Sequence, residues 1–220
     1  MNPTVAAELP FLQRAFIEGG AVMYVILFIF IITLLLIFER LIALRSLTID
    51  RKDFLDNIFG MVVRGDIRQA IAFCDSRPAP LTNTVKAGLV QAMNKRPDEE
   101  IQVAMDAAIL RETPRLEGWS SLLAVTGNIA VLAGLLGTII GMITSFRAVS
   151  AADPAEKAQK LSEGISHALN CTAFGLLVAI ISIVFFGYLQ LRIQRAENEI
   201  VEGSLSLMNL VVANRDKIRE

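Results

Sequence analysis

A few polar side chains lie within two long apolar stretches of the sequence, and their chemical types could assist the movement of an ion. The stretches run from Gly118 to Phe146 and from Gly164 to Leu191, and neither contains a charged residue. Their polar residues are chiefly Asn128, Thr138, His167, Asn170 and Thr172. A polar or ionisable group at membrane depth costs about 2 to 3 kcal/mol to insert, so such groups usually face a helix bundle or a water-filled path. The sequence therefore predicts that function resides within a membrane.

A third uncharged stretch, Gly19 to Phe38, completes a set of three candidate membrane spans. The chain has 220 residues, of which 54% are hydrophobic, whereas soluble domains are typically about 45 to 50% apolar. About 20 helical residues cross the hydrocarbon core of a bilayer. We therefore predict an all-α membrane protein, with transmembrane helices at residues 19–44, 118–147 and 162–191.

The basic residues predict the orientation of the spans. Seventeen of the 21 Lys and Arg residues are Arg40 or lie in the segment 45–117 or the tail after Leu191. Positive charges near span ends are retained on the cytoplasmic side. We therefore expect a cytoplasmic helical domain at 45–117 and a cytoplasmic C-terminal helix at 192–220. The N-terminal segment 1–18 and the connection 148–161 are then expected to be periplasmic.

The cytoplasmic domain is predicted to be a set of packed helices. Apolar residues recur at helical spacing on both sides of a turn at Gly65-Asp66, which indicates a helical hairpin. A further helix is expected near Thr82 to Asn94, and Pro97-Asp98 is typical of the start of another.

The second and third transmembrane helices are expected to extend beyond the bilayer. From Asp98 to Phe146 little interrupts the helical periodicity except Pro114, which could kink the helix or start a turn. A helix is expected to begin at Asp153, with its carboxylate as the N-cap, Pro154 at the first position and Glu156 in the first turn. The third helix then begins outside the membrane.

Small residues form a stripe on each of the last two apolar helices. In lipid, such residues let helix backbones approach closely. Gly127, Gly134 and Gly141 are seven apart, with Ala130 and Thr138 between them, and the other stripe comprises Ala168, Thr172, Gly175, Ala179 and Ser182. One interpretation is that these stripes serve packing alone, since a threonine hydroxyl can bond a carbonyl one turn back and needs no ion to explain it.

A set of polar residues lies near the start of the third span. Five residues of helix place His167 about 140° around the axis from Thr172, whereas Glu163, His167 and Asn170 share a face. The imidazole could hydrogen-bond at the membrane interface, or it could exchange protons, because its unperturbed pKa is about 6.5.

Several function classes are excluded. A net charge of −1 and the lack of a basic stripe argue against nucleic-acid binding. His167 and Cys171 form a lone i, i+4 pair, and a zinc site needs about two more ligands. No nucleotide-binding glycine loop or catalytic constellation is present in the sequence. We therefore expect no enzyme activity, no metal and no cofactor.

Two motifs carry a family resemblance. Leu132-Ala-Gly-Leu-Leu-Gly-Thr138-Ile-Ile-Gly-Met-Ile-Thr-Ser-Phe146 is followed by Gly164-Ile-Ser-His-Ala-Leu-Asn-Cys-Thr172-Ala-Phe-Gly-Leu-Leu-Val-Ala179. Together with the first-span ending Phe38-Glu39-Arg40-Leu41 and the long helical loop, this pattern resembles the MotA/TolQ/ExbB proton channel family, most closely its TolQ/ExbB branch.

The resemblance implies a stator-like proton-channel subunit of a bacterial inner-membrane motor that couples the ion-motive force to energy transduction, import or envelope maintenance. It implies five copies around a dimer of a single-span ExbD/TolR-like partner that carries a transmembrane Asp. Thr138 and Thr172 match the threonines that line the pore opposite that aspartate. None of the three uncharged stretches, Gly19 to Phe38, Gly118 to Phe146 and Gly164 to Leu191, contains Asp or Glu, so the carboxylate is expected to come from the partner.

The chain departs from the family pattern at His167, where many members have glutamate. An imidazole is charged when it is protonated, whereas a carboxyl group is charged when it is deprotonated. The role of that glutamate therefore does not transfer directly. Two alternatives remain open on the sequence: a gliding or flagellar-type stator, and a non-conducting membrane scaffold assembled through the small-residue stripes.

Overall fold

The computed structural model describes residues 20–49 and 51–214, and all the regular structure within them is α-helical. We number the helices in chain order: α1 Gly20–Leu47, α2 Arg51–Val63, α3 Ile67–Ser76, α4 Pro80–Met93, α5 Asp98–Glu117, α6 Ser120–Ser150 and α7 Lys157–Ala213. The all-α prediction is confirmed. The predicted N-terminal segment 1–18 and the last six residues of the predicted C-terminal helix lie outside the described residues.

Three helical stretches are long and apolar enough to cross a membrane, as the sequence predicts. They contain α1, α6 and α7. The last of these helices is 57 residues long, about 85 Å at 1.5 Å per residue. It therefore continues well beyond a hydrocarbon core of about 30 Å.

The described chain divides into two compact units. The first, which we call the apolar unit, comprises residues 20–38 and 119–187. Its core lies where α1, α6 and α7 meet, and its fully buried residues include Ile26, Ala130, Cys171 and Val178. Phe30 of α1 and Phe174 of α7 pack edge to face at 6.1 Å between ring centroids.

The second unit, which we call the helical domain, comprises residues 39–118 and 188–214. The aromatic rings of Phe54 and Phe73 stack at 5.9 Å, which joins α2 to α3. Gly88 of α4 lies so close to α5 that an added Cβ would be 2.6 Å from the sulfur of Met105. Its fully buried side chains include Phe54, Ile58, Leu89, Ile101, Met105, Ile193 and Leu207.

Local signals fix the turns of the helical domain. The expected turn is present at Gly65, where φ is 82° and the N–H of Asp66 donates to the carbonyl of Met61 at 3.0 Å. Helix α4 begins at Pro80, two residues before the expected start, because proline suits the first helical position. The hydroxyl of Thr82 accepts the N–H of Ala79 at 2.7 Å and caps this end.

The helical run from Asp98 to Phe146 is interrupted, but not at Pro114. Pro114 lies inside α5, and the break comes at Gly118, where φ is 42° and ψ is −128°. Residues with a side chain rarely adopt this backbone, whereas glycine does so readily. The buried guanidinium of Arg40 lies against Gly118, and a Cβ there would overlap its Nη2 at 1.7 Å.

Helix α7 begins later than the sequence signal at Asp153 predicts. Pro154 to Glu156 form a turn, in which the N–H of Glu156 donates to the carbonyl of Asp153 at 2.9 Å. This three-residue spacing is tighter than an α-helical turn. The α-helix starts at Lys157, so the expected N-cap at Asp153 is wrong.

Candidate functional site

Helices α6 and α7 lie side by side in the apolar unit along a line of small residues, which we call the seam. The paired positions run in opposite directions, from Gly127 against Ser182 to Gly141 against Ala168. The glycines Gly127, Gly134 and Gly141 and the facing Gly175 and Ala179 all lie in this seam. A packing stripe of this kind replaces side-chain interdigitation with direct contact between backbones.

The closest approach of the two backbones is at the centre of the seam. A Cβ added to Gly175 would lie 2.6 Å from the carbonyl oxygen of Ala130 and 3.1 Å from the Cα of Gly134. A Cβ on Gly134 would lie 3.1 Å from the carbonyl oxygen of Cys171. Even a methyl group at Gly175 therefore requires the helices to move apart.

The two threonine hydroxyls predicted to line a pore lie beside this central contact. The hydroxyl of Thr172 crosses the seam and donates to the carbonyl of Gly134 at 3.1 Å. Thr138 donates to the carbonyl of Leu135, on its own helix, at 2.6 Å. Both side chains are half-buried. The Thr138 hydroxyl thus bonds its own helix, as expected for a threonine that serves packing alone. The Thr172 hydroxyl instead bonds the neighbouring helix.

A second hydroxyl contact lies at the other end of the seam. Ser182 is fully buried and donates its hydroxyl to the backbone carbonyl of Leu123. The hydroxyls of Thr126 and Ser182 are 3.4 Å apart. Small polar side chains therefore join the helices at two levels, and each bond satisfies a polar group inside an apolar region.

Sequence reasoning missed two residues of the seam. A Cβ on Gly137 would lie 2.7 Å from the Cβ of Cys171 and 3.1 Å from a methyl of Val22, so three helices meet there. The spacing of Gly137, three after Gly134 and four before Gly141, was the available signal. In the sequence, Cys171 stands out only through its i, i+4 spacing from His167, although small residues in a stripe of this kind usually serve packing.

His167 does not lie in the seam. Its Nε2 would be 2.7 Å from a Cβ added to Gly20 at the start of α1. Its Nδ1 is buried and has no hydrogen-bond partner within the described part of the chain. The carboxylate of Glu163 accepts a bond from the amide of Gln159 at 3.0 Å, on the exposed surface of α7.

One polar residue in the second apolar stretch faces away from the rest of the chain. Asn128 is exposed on α6, among large exposed apolar neighbours such as Val125, Ile129 and Leu132. An amide facing lipid without a partner costs free energy. Its position therefore favours a neighbouring protein surface or water, rather than lipid, on this face of α6.

Two titratable groups of the helical domain have raised pKa values. Burial, reinforced by the nearby carboxylate of Asp75, raises the pKa of the Cys74 thiol to about 12. Burial, and then the negative charge of Glu117, raise the pKa of the Glu197 carboxyl above its ordinary value. Neither group belongs to the apolar unit, where serine and threonine hydroxyls supply most of the polar contacts along the seam.

Known proteins are similar to this chain over the region that includes α6 and most of α7. Residues 76–202, more than half of the chain, match the model of the MotA/TolQ/ExbB proton channel family. The chain is 27% identical over 187 residues to the ExbB-like 1 protein of Synechocystis sp., covering 84% of this chain and 73% of that protein.

Other relatives match over different lengths. The Tol-Pal system protein TolQ of Haemophilus influenzae is 35% identical over 96 residues, or 44% of this chain and 42% of TolQ. An ExbB homologue of Methanothermobacter thermautotrophicus is 28% identical over 180 residues, or 81% of this chain and 62% of the homologue. With its three apolar helices and the family match across the seam, this chain belongs to the MotA/TolQ/ExbB proton channel family.

Proposed function

We propose that this protein is the stator-like proton-channel subunit of a bacterial inner-membrane motor complex. It works as a homo-oligomer of five copies around a dimer of a single-span ExbD/TolR-like protein, and the complex couples the ion-motive force to work across the cell envelope. Family membership supports the channel class. The observation that carries the proposal is that Thr172 bonds Gly134, one helical turn before Thr138, in a helix pair that contains no carboxylate in its apolar stretches.

The partner supplies the ionisable group in this proposal. A proton relay at membrane depth normally uses a carboxylate, and the three uncharged stretches of this chain have none. Each hydroxyl donates its single proton to a backbone carbonyl, so it can accept a hydrogen bond from a carboxylic acid without moving. It can donate to a carboxylate after rotating away from that carbonyl. Thr138 and Thr172 would therefore hold and orient a partner's aspartate while its proton is exchanged.

The topology follows from the distribution of basic residues. With the N-terminus periplasmic and the C-terminus cytoplasmic, the helical domain lies in the cytoplasm. The polar residues Glu163, His167 and Asn170 then lie towards the periplasmic end of α7. There they serve proton exchange or contact between subunits.

Replacing either threonine tests the ion path. Thr138→Ala and Thr172→Ala should each abolish proton flux in proteoliposomes that contain the complex with its partner, while the complex still elutes at its assembled size. Thr144→Ala is the matched control, because the hydroxyl of Thr144, like that of Thr138, bonds α6 carbonyls, but Thr144 is not one of the two proposed pore-lining threonines. Full flux in both threonine variants would overturn the pore assignment.

A separate experiment addresses His167. If its imidazole exchanges protons, His167→Gln should change the pH dependence of the proton flux through the complex. Glu163, one turn away on α7, is replaced in parallel by Gln, because its carboxylate is a second ionisable group on the same face. An identical pH profile for His167→Gln and the unmodified protein would limit His167 to packing against Gly20.

The seam of small residues also suits a non-conducting scaffold, because it explains helix association without any ion. The flux assay separates the two functions. Absence of flux from the unmodified complex with its partner present would favour the scaffold.

A further inference from the structure

A small cavity in the helical domain is lined by basic and aromatic residues from the ends of two apolar helices. Its volume is about 30 Å³, and its walls are one face of α1 and one face of α7. The lining residues are Leu41, Leu44, Arg45, Tyr188, Leu189 and Arg192. On each helix the arginine stands one turn beyond a residue of the wall, Leu41 or Tyr188, so both arginine stems can lie along the cavity.

The two arginines of this cavity carry positive charge that no carboxylate of the described chain neutralises. Within residues 20–49 and 51–214, neither Arg45 nor Arg192 forms an ion pair, and Arg192 donates to the neutral Tyr188 hydroxyl at 3.2 Å. By contrast, Arg40 of α1 is paired with Glu39, and Arg51, at the start of α2, is paired with Glu202. The cavity is thus a local excess of positive charge in a protein whose net charge is −1.

The floor of the cavity is apolar. Leu44 and Leu189 are buried at 2% and 0% exposure, whereas Tyr188 is 46% exposed. Tyrosine is enriched at the membrane interface, where its ring contacts apolar groups and its hydroxyl contacts polar ones. The lining therefore offers an acyl chain an apolar surface and offers an anion two guanidinium groups and a hydroxyl.

The depth of the cavity matches that of a lipid headgroup. Arg192 follows directly on Leu191, the last residue of the uncharged stretch in α7, and Arg45 lies seven residues beyond Phe38, the last residue of the uncharged stretch in α1. Seven helical residues span about 10 Å, slightly more than the headgroup layer of about 5 to 8 Å on one side of a bilayer. A long arginine side chain can reach along the helix, so both guanidinium groups are within reach of the lipid phosphates.

We propose that this cavity binds the phosphate of an anionic phospholipid, such as phosphatidylglycerol, in the leaflet that faces the helical domain. The site rests on the proposed topology, in which that leaflet is cytoplasmic. Two guanidinium groups match the geometry and charge of a phosphodiester, and the leucine floor and Tyr188 favour a lipid over a soluble phosphate. A bound lipid would join α1 to α7 at the point where both leave the bilayer.

The test measures lipid binding to the full-length protein in detergent by native mass spectrometry, with phosphatidylglycerol and phosphatidylcholine as probes. The unmodified protein should bind phosphatidylglycerol more tightly. Each arginine removed should weaken that binding about fivefold, so the double variant Arg45→Gln/Arg192→Gln should lose about 25-fold. The double variant Arg45→Lys/Arg192→Lys keeps the charge, should remain folded and should retain most of the preference.

The matched control is Arg64→Gln/Arg68→Gln, which removes the same charge from exposed positions of the helical domain and should leave binding unchanged. Equal binding by the unmodified protein and the Arg45/Arg192 glutamine variant would overturn the site, as would an equal loss in the control. Displacement of the lipid by millimolar inorganic phosphate would show a soluble-anion site instead. Proton flux is measured separately, so a complex that conducts no protons can still be shown to bind the lipid.

Discussion

Thr172 donates its hydroxyl across the seam to the carbonyl oxygen of Gly134 at 3.1 Å. In the α-helical pattern that carbonyl also accepts the backbone N–H of Thr138, four residues later. The two threonines of the proposed ion path thus share one acceptor, and the side chain of Thr172 is held by a backbone group rather than by another side chain.

The Thr172 bond predicts different effects for two conservative substitutions. Thr172→Val keeps the shape but removes the donor, and it should destabilise the protein by about 0.6 kcal/mol, the average for hydrogen bonds between helices in a membrane. It should also abolish flux. Thr172→Ser keeps the donor and should retain both stability and most of the flux, as measured by unfolding in detergent and by proteoliposome flux. Normal flux with valine would mean that the hydroxyl serves packing alone.

The central contact of the seam predicts a strong penalty for one added methyl group. Gly175→Ala should destabilise the protein by about 1 to 3 kcal/mol, the usual cost of overpacking, because its Cβ would meet the Ala130 carbonyl at 2.6 Å. Gly187→Ala on the same helix is the control, since outside the adjacent turns of α7 no atom of the described chain lies within 4 Å of a Cβ added there. Its higher helix propensity should stabilise the protein by up to about 1 kcal/mol. Equal thermal stability of the two variants would contradict the close approach.

The break between α5 and α6 depends on glycine at position 118. Gly118→Ala should lower the free energy of unfolding by about 1 to 3 kcal/mol from backbone strain alone, and the overlap with the Arg40 guanidinium adds to this cost. Glu100→Gln is a useful comparison, because both partners of the Arg96–Glu100 ion pair are exposed and a surface ion pair contributes only about 0 to 1 kcal/mol. Urea unfolding of the purified protein measures both. If the alanine variant at position 118 unfolds at the same urea concentration as the glutamine variant, then position 118 does not require glycine.

The buried thiol of Cys74 predicts a pH-dependent reactivity. Its pKa is raised from 9.0 to about 12, so at pH 8 the folded protein should be alkylated about a thousandfold more slowly than the unfolded chain, from thiolate population alone. Since the folded pKa is above the unfolded value, the associated stability is complete below pH 9 and is lost as the pH rises towards 12. Mass spectrometry of iodoacetamide-treated protein locates the modification. Rapid labelling at pH 8 without denaturant would show that the thiol is accessible and ionised.

The regular spacing of residues made much of this structure predictable. The three uncharged stretches, the turn at Gly65 and the stripes of small residues follow from periods that the backbone geometry imposes. The break at Gly118 was not predicted, because the sequence alone does not distinguish a glycine that adopts a positive φ from a glycine used for packing. Proline at position 114 was the more obvious breaker, yet α5 continues through it.

The side-chain partners of the polar residues were less predictable. Thr138 and Thr172 occur in similar surroundings in the sequence, yet one bonds its own helix and the other the neighbouring helix. That difference depends on the rotation of α7 about its axis, which is set by tertiary contacts. The contact of His167 with Gly20 likewise joins distant parts of the chain, and no local pattern of residues indicates it.

The seam has a mechanical consequence. Between α6 and α7 its contacts are made by glycine, alanine, serine, cysteine and threonine, together with backbone atoms. Long side chains can change rotamer and absorb a displacement, but these residues have few or no rotamers to change. The two helices therefore lack a compliant layer between them within the membrane, and a force applied to one is transmitted to the other with little slip. With the stator-like function proposed above, such stiffness would let this helix pair act as a single rigid element.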